Sequence, residues 1–196
     1  MFTQSLAKKK TMVLLVMVMA LILMATTAFA TESGAEVTIN PGNLVIGDVT
    51  FANLSAIVLD GNVQTATTSW NIGNMTDARG NGNGWYTSIQ LAQFKQWDGS
   101  AYTTDGHTLP LSSLTVTTPP TVNKLEETSS AVNTITAVAE NTALDTGEAV
   151  PLLTAAANGG MGSYSVTAMG ISLKVPANAY ACTYKTTATV SKTVAP

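Results

Sequence analysis

An all-β fold, an antiparallel β-sandwich with Greek-key-like connections, is predicted by three observations. The first is composition. Charged residues are 11% of the 196-residue chain, too few for surface helices, which carry many Lys, Glu and Arg. The second is alternation. Tyr184, Thr186, Ala188 and Val190 fall on one face of an extended run and Lys185, Thr187, Thr189 and Ser191 on the other, the period of a half-buried strand. Tyr164, Val166 and Ala168 alternate in the same way with Ser163, Ser165 and Thr167. The third is punctuation by Pro41-Gly42-Asn43, Asp60-Gly61-Asn62, Asp98-Gly99-Ser100 and Asn158-Gly159-Gly160, all turn formers. No segment reads as a helix long enough for the crossovers of a parallel sheet, so the pairing is expected to be antiparallel.

The chain opens with a predicted signal peptide, residues 1–30. Lys8, Lys9 and Lys10 form a basic start, Thr11 to Met24 is almost wholly apolar, and Ala28-Phe29-Ala30 is a small-residue cleavage pattern. The apolar run falls short of the roughly 20 residues a membrane span needs. Residues 31–196 are expected to form one domain, with no membrane contact after cleavage. Expected strands are Glu36–Asn40, Leu44–Ala52, Thr65–Met75, Trp85–Phe94, Leu114–Thr118, Asn133–Ala139, Ser163–Val175 and Thr183–Val194. Their β-branched and aromatic side chains suit a pleated, half-buried surface. The segment from Pro119-Pro120 to Thr128 is the least strand-like, and Lys124–Ser130 fits at most a helical turn. Trp70 to Trp85 reads as a long hairpin connection. Gly80, Gly82 and Gly84 tolerate positive φ, and Asn81 and Asn83 do so more reluctantly; Asp77 and Arg79 are placed to brace the turn by pairing with each other or with backbone groups, and Trp85 anchors the next strand in the core.

Charge narrows the partners. The net charge is −3; without the three leader lysines six basic residues face twelve acidic ones, a net of −6. No basic patch remains for a nucleic acid. Beyond the leader there is one histidine, one cysteine and one arginine. A Ser-His-Asp triad would have only His107 to use, and no serine sits in a nucleophile elbow. Zinc lacks ligands, and the aspartates show no calcium-loop spacing. Neither an enzyme nor a bound cofactor or metal is expected. Cys182 has no intramolecular partner and reads as a small packed hydrophobe beside Tyr180 and Tyr184, or as a site of intermolecular cross-linking. In the stretch Phe94 to Tyr102, Trp97 and Tyr102 flank an apparent hairpin tip. There they cap the core edge or offer ring faces to a saccharide.

Three blocks resemble the WxL-domain surface proteins. Asp77-Ala-Arg-Gly80 followed by Gly84-Trp85 is similar to the segment leading into that family's first Trp-x-Leu motif. Gly160-Met-Gly162-Ser-Tyr164 with Ile171 to Pro176 matches a second block, and Tyr184 to Pro196 a terminal one. Thr87 stands where the motif has Leu. In the last block Ala188 and Lys192 stand for Leu, and Val190 for Trp, its apolar side chain keeping the same strand face. The resemblance implies a β-rich, secreted, non-catalytic domain. It also implies non-covalent attachment to peptidoglycan or another cell-wall polymer, beside other cell-surface proteins. Trp85, with Asp77, Arg79 and Gly84 of its turn, is the expected contact, and Trp97 and Tyr102 the secondary one. The alternative is a structural subunit of a surface filament or complex, joined through strand edges, or a glycan-binding adhesin-like module.

Overall fold

A computed structural model describes residues 9, 10, 12 and 36–194. Most of the predicted leader, its cleavage point at Ala30 and the expected domain start at Thr31 lie outside the described residues. Residues 36–40, an expected strand, join no ladder. In chain order the strands are β1 (Leu44–Ile46), β2 (Thr50–Phe51), β3 (Gln64–Asn71), β4 (Met75–Asp77), β5 (Trp85–Leu91), β6 (Lys95–Trp97) and β7 (Leu114–Thr118). There follow β8 (Val122–Lys124), a 3-10 turn at Val132–Thr134, β9 (Ile135–Ala137), β10 (Ala149–Ala155), β11 (Gly162–Val166), β12 (Met169–Val175), β13 (Thr183–Lys185) and β14 (Ala188–Val194).

Two of the four-stranded ladders share one strand order. β1-β4-β11-β8 and β2-β3-β12-β7 are two halves of one layer, broken along a common crease. Three of the four chain runs crossing the crease carry a breaker, Gly47, Gly73 or Pro119-Pro120, and the fourth crosses at Thr167-Ala168. Gly73 takes a φ of +82°, and a Cβ there would come within 2.7 Å of the Gly47 carbonyl oxygen, so the two runs meet as bare backbone. Pro119-Pro120 has no N–H to give a ladder. Asn74 bridges the break, its backbone oxygen accepting from Gly47 N–H at 2.8 Å and its Oδ1 from Val166 N–H at 3.0 Å. The expected strands Leu44–Ala52, Thr65–Met75 and Ser163–Val175 are therefore two strands each.

The second layer is β14-β5-β10-β9, and β13 pairs with β6 as a separate ribbon. All pairings are antiparallel, and among the named strands only β2–β3 and β9–β10 pair with their neighbour in sequence. The other connections pass between ladders, as a Greek-key-like sandwich requires. One apolar core joins the layers, with Trp85, Ile89 and Leu91 of β5 in the same cluster as Leu114, Met75, Tyr164 and Ile171.

The glycine-rich turn is not a hairpin. β4 pairs with β1 and β11, whereas β5 pairs with β10 and β14, so the turn carries the chain from one layer to the other. The expected final strand breaks at Thr186-Thr187, its first half pairing with β6 and its second with β5. Its alternation survives the break, with Tyr184, Thr186, Ala188 and Val190 half-buried and their neighbours exposed. Within Lys124–Ser130 a single turn closes, Ser129 N–H donating to the Glu126 carbonyl at 2.9 Å, and the 3-10 turn begins at Val132.

Candidate functional site

At the layer-crossing turn, Arg79 Nε donates to Asp77 Oδ1 at 2.8 Å and Nη2 to Oδ2 at 2.8 Å, the fork geometry that makes such pairs strong. Nη2 also donates to the Asn83 carbonyl at 2.7 Å, so one guanidinium ties the start of the turn to its end. The Asp77 carboxylate, hydrogen-bonded to Arg79, raises the guanidinium above its ordinary range. The positive φ values fall on Gly80 and Gly82, not on Asn81 or Asn83. Gly84 serves differently: a Cβ there would collide with the Ala155 carbonyl oxygen of β10. The Trp85 ring is 1% exposed, and its Nε1 donates to the Gly160 carbonyl at 3.0 Å. Asn158 N–H reaches the Gly82 carbonyl at 2.7 Å, locking this turn to the one at 158–160.

Asp77, Arg79, Gly84 and Trp85 are thus brought together as a brace. Trp85, the expected first contact residue, has its ring inside the core, where desolvation stabilises the fold and no face is left for a polymer. Trp97 and Tyr102 lie elsewhere, on the β6–β13 ribbon.

There the two residues face each other across an antiparallel bridge, rings edge to face at 5.1 Å. Asp98 shapes the tip between them by accepting from Ala101 N–H and Ser100 N–H, each at 2.8 Å. These bonds, the one from Ala101 first, hold its carboxyl below the usual range. The ammonium of Lys185 on β13 sits 4.0 Å from the Trp97 ring centroid, a cation–π contact. Gln96 clasps the following loop, donating from its N–H to the His107 carbonyl at 2.8 Å and accepting the His107 N–H at 3.1 Å. His107 then lies flat on Tyr180, centroids 3.5 Å apart. Tyr102 is 38% and Tyr180 62% exposed, so the ribbon presents an open aromatic surface. No local sequence pattern joins His107 to Tyr180, because 73 residues separate them. The one local signal was the alternation of Tyr180, Cys182 and Tyr184.

Tyr184 points inward from β13 and donates to the Tyr180 carbonyl at 3.1 Å. Burial, with a smaller effect from Cys182, pushes its phenol up to about 12 from the ordinary 10.0. Because the folded state holds this proton more tightly, the associated stability is complete below pH 10 and lost between 10 and 12. Burial also raises the Tyr164 phenol, so an alkaline titration followed by phenolate absorbance is expected to show late-ionising tyrosines of which Tyr184→Phe removes one. An unchanged curve in that variant would assign the late step elsewhere.

The positions that depart from the Trp-x-Leu pattern remain structurally coherent. Thr87 is buried on β5, Ala188 and Val190 of β14 pack against the core, and the exposed Lys192 donates from Nζ to the Leu44 carbonyl at 2.7 Å.

The architecture is that of an all-β sandwich domain with an aromatic ribbon on its surface. A family model described as WxL domain, surface cell wall-binding, matches residues 38–191. The chain belongs to the WxL family, and with it to the surface proteins that bind the cell wall. No curated protein matches it, and no solved structure does. Among the described residues no helix is long and apolar enough to cross a membrane.

Proposed function

We propose that the chain is a secreted, non-catalytic protein, cleaved after Ala30, whose domain of residues 31–196 attaches non-covalently to peptidoglycan through the β6–β13 ribbon. The observation carrying this reading is the pair of half-buried Trp97 and exposed Tyr102, held across one bridge by the Asp98 turn. Rings fixed by a short hairpin give up little freedom on binding, and their faces suit the apolar side of a sugar. The brace of Asp77, Arg79, Gly84 and Trp85 acts at a remove, by joining the layers that carry the ribbon. A binding role also fits the His107 imidazole, which is spread on Tyr180.

Co-sedimentation with purified sacculi tests this. The parent protein is expected to pellet. Trp97→Ala with Tyr102→Ala is expected to weaken retention about tenfold, the scale of two aromatic contacts at an interface centre, with circular dichroism unchanged. A folded double variant that pellets like the parent would remove the ribbon from the contact. Sacculi stripped of secondary polymers that no longer retain the parent would move the ligand from peptidoglycan to those polymers.

A further inference from the structure

The four-stranded ladders end on β1, β8, β2, β7, β9 and β14. β1, β2, β8 and β9 are two or three residues long. β7 is covered on its outer side, where Asn141 N–H reaches the Val116 carbonyl at 2.8 Å and Leu144 N–H the Leu114 carbonyl at 2.8 Å. β14 has seven residues. Native edges of that length are usually blunted by a proline, a bulge or an outward lysine. β14 has no proline and keeps one register along β5 from Ala188 to Val194. Its single lysine is drawn aside, the Lys192 ammonium donating to the Leu44 carbonyl of β1 at 2.7 Å.

One bond fixes which backbone groups of β14 face outward. Ala92 N–H donates to the Thr187 carbonyl at 3.1 Å, one step before Ala188 faces Leu91. Thr187 and Ala92 are therefore a hydrogen-bonded pair, and such pairs alternate along an antiparallel ladder. Thr189, Ser191 and Thr193 turn their N–H and C=O groups toward β5. Ala188, Val190, Lys192 and Val194 turn theirs outward, and among the described residues no hydrogen bond meets them. Side chains sort with the same period. Ala188 and Val190 are half-buried toward the core, whereas Thr189, Ser191 and Thr193 are exposed on the outer face.

We infer that β14 pairs antiparallel with β14 of a second copy, across a twofold axis at Ser191. Ala188 then faces Val194 of the second copy, and Val190 faces its Lys192. All four outward-facing residues of each strand find a partner, for about eight backbone bonds in all. On the outer face Ser191 meets its own counterpart and Thr189 meets Thr193, hydroxyl pairs that favour sheet formation. Other centres fit worse. An axis at Lys192 sets two ammonium groups against each other, and one at Val190 leaves Val194 past the end of the strand. The axis stands perpendicular to the sheet, so the two β14-β5-β10-β9 layers become one continuous sheet. A contact of this isologous kind closes at two copies. The dimer carries two β6–β13 ribbons, which on the wall-binding reading adds avidity toward a repetitive polymer.

Sedimentation equilibrium of the secreted protein, from roughly 1 μM to 1 mM under reducing conditions, is expected to show monomer and dimer and nothing larger. Hydrogen exchange is expected to find the Val190 and Lys192 amides protected in the dimer and freed on dilution. The Thr189 and Ser191 amides, bonded to β5, stay protected throughout. Ser191→Lys and Ser191→Glu each set like charges together at the axis, and each is expected to weaken the dimer about fivefold. Circular dichroism is expected to be unchanged, because the position is exposed. Mixed one to one, the two variants are expected to recover the dimer, a result particular to a residue that faces its own counterpart. A strict monomer across the range would overturn the pairing. So would a dimer whose Val190 and Lys192 amides exchange freely, growth beyond two copies, or a mixture no tighter than either variant alone. Pairing is measured in free solution, so a failure of sacculus retention counts against the wall reading and leaves the dimer standing.

Discussion

Replacing Trp85 by alanine is expected to cost about 3–5 kcal/mol, the range for deleting a buried aromatic. The cost has two parts. Removing the ring opens a cavity among Ile89, Tyr164 and the other residues of the central cluster, which a sheet residue fixed on both sides by β10 and β14 cannot collapse to fill. The Gly160 carbonyl also loses the Nε1 donor that reaches it at 3.0 Å, and a buried acceptor left unpaired adds its own penalty. Gly160 is shaped to this ring, since a Cβ there would come within 2.7 Å of Nε1. For a domain whose total stability is of order 5–15 kcal/mol, the loss leaves little margin at working temperature. Urea unfolding measures it, with a lower midpoint at unchanged slope. Trp85→Phe keeps most of the apolar contact and forfeits the hydrogen bond, and is expected to cost about 1–2 kcal/mol. An alanine variant within about 1 kcal/mol of the parent would show that the ring is not a keystone.

The same residue marks what the chain's local pattern can and cannot reveal. Its role as core anchor was legible, because a large aromatic opening an alternating run after a glycine turn has few other uses. That β4 and β5 belong to different layers was not legible. A glycine-rich connection looks alike whether it closes a hairpin or crosses a sandwich, and only long-range pairing decides. The crease was hidden for a related reason. Gly47, Gly73 and Pro119-Pro120 are far apart in sequence and become one break only when the strands line up. β10, a strand between two others in its sheet, was missed because Pro151 argues against a central position. The structure resolves the conflict, as the register shifts between Pro151 and Leu153 and β9 pairs only with Leu153, Thr154 and Ala155. The proline thus sits where the strand has a free edge. At the surface, Trp97 and Tyr102 were found because they are close in sequence, whereas Tyr180 and Lys185 come from segments joined to them only by the fold.

Breaking the Asp77–Arg79 pair is expected to have the second large effect. The Asp77 side chain is 1% exposed and that of Arg79 10%, and removing one partner of a buried pair strands the other charge, at about 3–5 kcal/mol. Asp77→Ala leaves a guanidinium with only the turn carbonyls of Asn83 and Gly84 for company. Nη1 of Arg79 already lacks a partner, so this cation has no spare contact to fall back on. Asp77→Asn keeps the shape and an acceptor but not the charge, and is expected to be milder. The decisive measurement is a double-mutant cycle. If the penalty is an uncompensated charge, Asp77→Ala with Arg79→Met restores part of the loss, giving a coupling energy of about 1–3 kcal/mol. If the two losses simply add, the pair does not act as a unit. The comparison also separates stability from attachment, because the pair lies far in sequence and in role from the ribbon. A rescued double variant that folds is expected to pellet with sacculi as the parent does. Failure to pellet in a folded rescue would return the glycine-rich turn to the binding surface.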